Sequence, residues 1–243
     1  MTRMDFHIHS DYSDGTASLE DIVTEALRWR LEAIGIVDHV RGDADWLADR
    51  QRQIDELRGE HGDELEIFSG IEVKVRDEEG ALNVLPQATE KVDFVIASFH
   101  GVPRSVEERM EGGDRDALVD WWHSCTRILL DCGHDAHILG HPDRILVDRA
   151  LSVGSARMKR LVEQALASRM FLEWNPAAAY PVQPFATALA ERGAPNVTYG
   201  SDAHSTSELT DALRARTDYE AGIVERGNQA FLSILREDRG DLS

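Results

Sequence analysis

The chain has few of the residues that build disulfide frameworks or basic surfaces, and it lacks long apolar runs. Its 243 residues include two cysteines, seven prolines and only three lysines. No stretch approaches the roughly 18 apolar residues that a membrane-spanning helix needs, so no membrane segment is predicted. The N-terminus leads into a polar segment without the pattern of a signal peptide, which predicts a cytoplasmic protein.

The two cysteines, Cys125 and Cys132, lie on one face of a predicted helix. We interpret them as reduced core thiols, because cysteine is usually buried and no other cysteine is available to complete a metal site. Neither a disulfide scaffold nor a thiolate-bound metal is therefore expected.

Negative charge predominates in the composition. The chain has 45 acidic and 26 basic residues, which gives a formal net charge of −19 at pH 7. Binding to duplex nucleic acid needs a basic track that displaces counterions from the phosphates. Duplex nucleic acid is therefore not an expected partner, whereas a nucleotide or a short oligonucleotide is compatible with a few arginines at a pocket.

Short apolar runs alternate with stretches of helical periodicity, a pattern that predicts an α/β barrel with parallel strands. The predicted strands are Met4 to Ile8, Ala33 to Val37, Leu65 to Ile71, Val92 to Phe99, His137 to Leu139, Met170 to Trp174 and Asn196 to Tyr199. This length suits one barrel, so residues 1–243 are predicted to form a single domain. The segment from Arg104 to Arg115 is interpreted as a polar loop and as a candidate mobile lid.

Histidines and carboxylates follow almost every predicted strand. The C-terminal ends of parallel barrel strands converge on one face, so these side chains are expected to meet there. The candidate metal ligands are His7, His9, Asp14, His39, Glu72, His100, His141, Asp202 and His204. All offer nitrogen or oxygen, a set that suits zinc, manganese, iron or magnesium. They are too many for one ion, so we predict a cluster of about two to three divalent metal ions.

Local patterns support individual ligands. His7 and His9 alternate along a strand, so both imidazoles project from the same face. Asp14 stands in an Asp-Gly turn that folds a carboxylate back towards the pocket, with Asp11 as the competing ligand. Asp38 is interpreted as the orienting partner of the histidine that follows it, or as a surface cap.

In the order and spacing of the nine candidate ligands, the chain resembles the PHP family, the polymerase and histidinol phosphatase group. The resemblance covers nearly the full length. It implies a distorted seven-stranded (β/α)7 TIM-like barrel, with phosphoester hydrolysis at a trinuclear metal site at the C-terminal ends of the strands. It also implies three sets of ligands, namely His7, His9, Glu72 and Asp202, then Glu72, His100 and His141, and then Asp14, His39 and His204. Other members have His at the position of Asp14. This departure affects only the occupancy and the identity of the third ion.

Phosphoester hydrolysis assigns roles to several of these residues. We hypothesise that a metal-activated hydroxide attacks phosphorus in line, with Glu72 and Asp202 as catalytic ligands. The leaving group takes its proton either from metal-bound water or from His204. Arg104 and Arg144 are the predicted substrate-binding residues, because arginine presents a planar fork to phosphoryl oxygens. The alternative for each arginine is a surface ion pair.

The predicted activity is hydrolysis of small phosphate monoesters, in the manner of a histidinol phosphatase, because no polymerase is fused to the chain. A nucleotide or short-oligonucleotide phosphoesterase of the 3'-5' exonuclease type is the alternative, since the spacing from Glu72 to His100 equally resembles the PHP domain of family X DNA polymerases. Amidohydrolases share the first His-x-His pair, but Glu72 on the third strand and the final Asp-x-His pair favour a phosphoesterase. A non-catalytic metal-binding accessory module is the alternative of another class, and the complete ligand set argues against it.

Overall fold

The computed structural model describes residues 3–40, 44–83, 86–132, 136–175, 184–193, 195–215 and 218–240. Seven parallel strands form one sheet, in which each strand pairs with the next along the chain. The strands are β1 (Met4–Ile8), β2 (Ala33–His39), β3 (Glu66–Lys74), β4 (Phe94–Ser98), β5 (Ile138–Leu139), β6 (Phe171–Trp174) and β7 (Val197–Tyr199).

Helices connect the strands, as the alternating sequence pattern predicts. They are α1 (Leu19–Arg28), α2 (Leu47–His61), α3 (Pro86–Thr89), α4 (Arg104–Glu111), α5 (Ala117–Cys132), α6 (Arg144–Val147), α7 (Ser155–Ala167), α8 (Pro184–Glu191), α9 (Thr206–Ala215) and α10 (Asp218–Arg239). The start of α1 is capped by the side chain of Ser18, which accepts a hydrogen bond from Asp21 N.

The sheet curls into a nearly closed barrel, and the seam lies beside the candidate ligands. At the C-terminal end of β1, His9 N donates to Ala203 O at 2.9 Å and Asp202 N donates to His7 O at 2.8 Å. These bonds join β1 to the segment that follows β7. The predicted seven-stranded barrel with parallel strands is thereby confirmed.

Strand register brings distant ligands side by side. β2 and β3 pair in parallel from Ala33 opposite Glu66 to His39 opposite Glu72. Pairing with β4 extends β3 to Lys74, which lies opposite Ser98 and three residues beyond the predicted end of β3. Glu72 therefore lies within the strand and not just after it.

An aromatic cluster fills the barrel near the N-terminal starts of the strands. Phe231 of α10 packs against Phe6 and Phe171, each with ring centroids 5.0 Å away, and against Phe94 at 5.5 Å. Gly70 leaves room for this cluster, because a Cβ there would lie 2.7 Å from Phe94 Cζ. The packed interior supports the opposite end of the barrel, where the polar side chains converge.

The segment after β4 differs from the sequence prediction. Arg104 to Glu111 forms α4, so the predicted polar loop from Arg104 to Arg115 is wrong over most of its length. The helix buries Val106 against the core and has an ion pair of i,i+4 spacing between Arg104 and Glu108. These features outweigh the polar composition that predicted a loop.

Two further expectations from the sequence concern membrane segments and the cysteines. Within the part of the chain that the structure describes, no helix is long and apolar enough to cross a membrane. Cys125 lies in α5 with a buried free thiol, and burial raises the pKa of this thiol to about 12. The side chain of Cys132 lies outside the described part of the structure.

Candidate metal centre

The nine predicted ligands come together at the C-terminal end of the barrel. We call this cluster the metal centre. Eight of the nine form three overlapping groups, in each of which the ligand atoms lie within 4.8 Å of one another. The groups are His7, His9, Glu72 and Asp202; His39, Glu72 and His100; and His9, Asp14, His39 and His204. His141, the ninth, lies beside Glu72 and His100.

Glu72 stands at the middle of the metal centre, with its two oxygens facing different histidines. Oε1 lies 3.0 Å from His100 Nε2 and 3.1 Å from His141 Nε2. Oε2 lies 3.1 Å from His39 Nδ1 and 3.4 Å from His9 Nε2. One carboxylate is therefore placed to bridge two ions.

Asp202 completes the most buried group. Its Oδ1 lies 3.2 Å from His9 Nε2 and 3.6 Å from His7 Nε2. The two Nε2 atoms of His7 and His9 are 3.1 Å apart. His7 and His9 therefore share one face of β1, as their alternation predicts.

Asp14 anchors the most exposed group. Its carboxylate oxygens lie 3.2 Å from His39 Nε2, and 3.6 Å from both His9 Nδ1 and His204 Nε2. The competing residue, Asp11, is exposed and belongs to none of the three groups of described residues. The structure therefore brings Asp14, and not Asp11, into the metal centre.

These side chains fit divalent cations. Ligand atoms bound about 2.0–2.1 Å from one tetrahedral ion lie about 3.3 Å apart, and the separations in the metal centre are close to that value. Glu72 Oε2, His9 Nδ1 and His141 Nδ1 are buried, and each has no hydrogen-bond partner among the described residues. A buried polar atom without a partner costs about 1–3 kcal/mol, so the cluster is adapted to bind something.

The protonation states of the candidate ligands differ, and those of His39 and Asp202 favour cation binding. Burial lowers the pKa of His39 to about 4, so this imidazole is neutral at pH 7. Burial acts in the same direction on His7, but the charges of Glu173 and Glu72 outweigh it and hold the pKa of His7 well above its usual value. Burial alone would raise the pKa of Asp202, yet the neighbouring imidazoles hold it well below its usual range. A cation that binds here therefore displaces a proton from His7.

Two candidate ligands have an unusual backbone conformation. His141 has a φ of 25° and Asp202 a φ of 55°, both in the left-handed region that residues other than glycine seldom adopt. Hydrogen bonds hold both segments, because His141 N donates to Glu173 Oε2 at 2.6 Å and Asp202 N donates to His7 O. Such strain, of about 1–3 kcal/mol per residue, is typical of functional sites.

Glu173 is a further candidate residue of the site that the sequence patterns do not reveal. It lies in β6, buried, and its Oε1 accepts a hydrogen bond from His7 Nδ1 at 2.5 Å. Once the proton on Nε2 is displaced, this bond keeps the remaining proton on Nδ1 and leaves the lone pair on Nε2, which is how a carboxylate orients a metal-binding histidine. Gly200 is needed beside it, since a Cβ there would lie 2.0 Å from Glu173 Oε1. A lone carboxylate inside the apolar run from Met170 to Trp174 was the available signal.

The contacts of Asp38 agree with neither of the two roles that the sequence suggests, an orienting partner of His39 or a surface cap. It is buried, so it is not a surface cap, and the described residues show no bond from it to the His39 ring. Instead it forms an ion pair with the buried Arg50 at 2.8 Å and accepts hydrogen bonds from Ser10 N and Ser13 Oγ at 2.9 and 2.6 Å. Asp38 therefore holds the loop that carries Asp14.

The two predicted substrate-binding arginines lie in different surroundings. Arg144 lines a cavity of about 500 Å³ beside His39, His100 and His204. Its Nη1 donates to Asp202 Oδ2 at 2.6 Å. Arg104 is 89% exposed, forms an ion pair with Glu108 on its own helix, and is not among the described residues that line this cavity. The structure therefore gives Arg104 a surface ion pair, because α4 points this side chain into solvent.

Comparison with known proteins shows the family to which the chain belongs. The model of the PHP domain matches residues 5–177, which is more than half of the chain. The chain belongs to the PHP family. The matched span contains the first seven candidate ligands, from His7 to His141, and the fold brings Asp202 and His204 to the same centre from beyond it.

The chain is also similar to individual known proteins. A probable phosphatase of Pectobacterium atrosepticum is 27% identical over 219 residues, which cover 87% of this chain and 82% of the relative. The crystal structure of histidinol phosphate phosphatase from Lactococcus lactis, complexed with zinc, L-histidinol and phosphate, has a TM-score of 0.62 and 17% identity. The match covers 93% of this chain and 94% of that one.

A longer relative is the DNA polymerase/3'-5' exonuclease PolX of Bacillus subtilis. It is 24% identical over 246 residues, which cover 96% of this chain but 40% of PolX. Together with the family match, these similarities make this PHP protein a metal-dependent hydrolase that acts on phosphoesters.

Proposed function

We propose that the protein hydrolyses small phosphate monoesters, in the manner of a histidinol phosphatase. The observation that carries this proposal is the cavity of about 500 Å³ above the metal centre, with Arg144 on its wall. A cavity of this size suits a small ligand. The fold shared with the Lactococcus lactis histidinol phosphate phosphatase supports the same substrate class.

About two to three divalent ions, of zinc, manganese, iron or magnesium, are proposed for the three ligand groups. When bound, such ions neutralise phosphoryl charge and lower the pKa of bound water towards 7. His7, His9, Glu72 and Asp202 would hold the most buried ion, with His7 oriented by Glu173. The remaining ligands would hold ions nearer the cavity.

The hydrogen bond of His204 supports a ligand role for this residue. Its Nδ1 lies 2.8 Å from Asp202 O, and a carbonyl oxygen can only accept, so Nδ1 carries the proton. The lone pair is then on Nε2, which faces Asp14 at 3.6 Å. This tautomer favours metal binding by His204 over protonation of the leaving group.

Arg144 is proposed to bind the phosphoryl group. It lines the cavity and presents cationic N–H donors, although one of them is engaged by Asp202. A guanidinium in this position stabilises charge that develops on the phosphoryl oxygens. The ion pair with Asp202 also fixes where Arg144 lies relative to the metal ligands.

Hydrolysis of nucleotides or short oligonucleotides is the second candidate function. The similarity to PolX favours it, but the chain spans only 40% of that relative. The net charge of −19 disfavours a long polyanionic substrate.

A cytoplasmic location is proposed from the free buried thiol of Cys125, which fits a reducing compartment.

The test is a substrate panel with the protein stripped of metal and then reconstituted with zinc or manganese. The panel holds histidinol phosphate, a nucleoside monophosphate, a short oligonucleotide and a generic phosphodiester, each with and without EDTA. We expect metal-dependent phosphate release from monoesters, with histidinol phosphate preferred. Preference for a nucleotide or the oligonucleotide would favour the second candidate, and no metal-dependent turnover of any substrate would contradict both.

A further inference from the structure

Lys74 is one of only three lysines in the chain, and it ends β3 at the rim of the metal centre. It is two residues beyond Glu72, so both side chains project from the same face of the strand. A Cβ built on Gly101 would lie 2.5 Å from Lys74 Nζ, so the ammonium group lies against the residue that follows His100. A cation therefore stands beside two of the candidate ligands.

Lys74 opens onto the metal centre through a cavity of its own. This second cavity, of about 260 Å³, is lined by His39, Val40, Glu72, Lys74, Asn83 and His100. It shares His39 and His100 with the larger cavity that Arg144 lines. The two cations therefore reach the same centre from different directions.

The surroundings of Lys74 leave its charge available. Within the described part of the chain, its ammonium makes no ion pair with a carboxylate. Lys159, by contrast, lies 3.9 Å from Glu163 on the surface of α7. Arg144 already donates to Asp202, so Lys74 is the less engaged of the two cations at the centre.

We propose that Lys74, assisted by the Asn83 amide, binds the phosphoryl group of the substrate and of the inorganic phosphate product. This inference rests on the proposed phosphomonoesterase function. An ammonium group offers three N–H donors and a full charge to phosphoryl oxygens. Arg144 then binds the same group from the larger cavity. Gly101 keeps the space that the lysine side chain occupies.

The first test uses the wild-type, metal-loaded protein and needs no variant. The lysines are acetylated with a limiting amount of an N-hydroxysuccinimide ester, with and without inorganic phosphate, and the rate at each lysine is read by mass spectrometry. Phosphate at ten times its Kd is expected to slow acetylation of Lys74 by about tenfold. Lys91 and Lys159 are internal controls whose rates stay unchanged. An unchanged rate at Lys74 under saturating phosphate would overturn the proposal.

The second test is kinetic. Lys74→Met is expected to lower kcat/KM for a phosphate monoester by about 10- to 100-fold, the effect of losing a charge-assisted hydrogen bond, with metal content unchanged. Lys74→Arg should restore part of the loss, and the matched surface variant Lys159→Met should behave as wild type. Wild-type kinetics for Lys74→Met would contradict the proposal. If the wild-type protein hydrolyses no monoester, the proposed function fails, whereas the phosphate footprint still tests binding at Lys74.

Discussion

Two clusters of charged side chains in this molecule, one partly buried and one more deeply buried, have opposite hydrogen-bonding patterns. In the first, which we call the Asp93 cluster, Asp93 Oδ2 accepts from Arg58 Nη2 at 2.5 Å, Ser69 N at 2.6 Å and Arg239 Nη2 at 2.8 Å. Its Oδ1 accepts from Arg239 Nε at 2.9 Å. Both carboxylate oxygens are paired, so this cluster is complete without a ligand.

The metal centre is incomplete by the same standard. The Nε2 atoms of His100 and His141 face each other at 3.2 Å, and those of His7 and His9 at 3.1 Å. Glu72 Oε2 is buried with no hydrogen-bond partner among the described residues. In these two clusters, the charged residues that stabilise the fold satisfy one another, whereas the candidate ligands leave ligand atoms open.

The largest expected effect comes from the shared carboxylate. Glu72→Gln keeps the shape of the side chain but removes the charge that faces five histidines, which are His7, His9, His39, His100 and His141. We expect metal affinity and phosphate release to fall by more than about 100-fold, beyond the loss typical of residues that only support metal ligands. Elemental analysis and a phosphate assay measure the two quantities.

The matched control is Glu66→Gln, a change on the same strand whose carboxylate pairs with Arg236. It should retain both metal and activity. Wild-type metal content and turnover in Glu72→Gln would contradict the bridging role.

Glu173→Gln tests whether the Glu173 carboxylate orients the candidate ligand His7. The amide is a weaker acceptor for His7 Nδ1 than the carboxylate, so His7 is less well oriented and less basic. We expect metal affinity to fall about 10- to 100-fold, less than for Glu72→Gln. A competition titration against a chelator measures this, and an affinity equal to wild type would remove Glu173 from the centre.

The Asp93 cluster should respond to pH and not to metal. Burial would raise the pKa of Asp93, but its bonds to Arg239 and Arg58 outweigh burial and lower it. A carboxyl whose pKa is lowered on folding contributes stability above its unfolded pKa of about 3.9, and this stability is lost as the pH falls through the folded pKa.

Asp93→Asn is accordingly expected to lower the free energy of unfolding at pH 7 by about 1.5–3 kcal/mol, the range for hydrogen bonds to charged groups. The difference from wild type should shrink at pH 3. Urea unfolding at both pH values measures it, and metal binding by the folded variant should be unchanged. An equal loss of stability at both pH values would argue against the charge as the cause.

The smallest effect is expected at Arg104. Arg144→Ala should raise KM for a phosphate monoester by about tenfold through a lost charged hydrogen bond, whereas Arg104→Ala should leave the kinetics unchanged. Steady-state kinetics at equal metal content compare the two variants. A raised KM for Arg104→Ala would show that α4 moves towards the cavity during turnover.

The sequence predicts the barrel and the meeting of the ligands well, because both depend on local patterns. Apolar runs mark parallel strands, and a residue at a strand end is expected at the ligand face of a barrel. The seven strands and the metal centre follow from these patterns, and His7 and His9 share a face as their alternation predicts. The single domain over residues 1–243 stays a prediction.

The supporting residues could not be predicted in this way, because their partners depend on the curvature of the sheet. The bond between Glu173 and His7 joins β6 to β1, and the ion pair of Asp38 with Arg50 needs the packing of α2. Periodicity says which face of a strand a side chain occupies, but not which distant group it meets. The same gap left Lys74 without an assigned role.

The central claim is that the nine converging side chains form a metal centre that hydrolyses phosphoesters. Native mass spectrometry of the reconstituted protein, paired with a phosphate assay on the same sample, tests it most directly. We predict about two to three divalent ions per chain and turnover that EDTA abolishes, with both lost in Glu72→Gln. A folded wild-type protein that binds no ion, or that turns over equally well without one, would contradict the account.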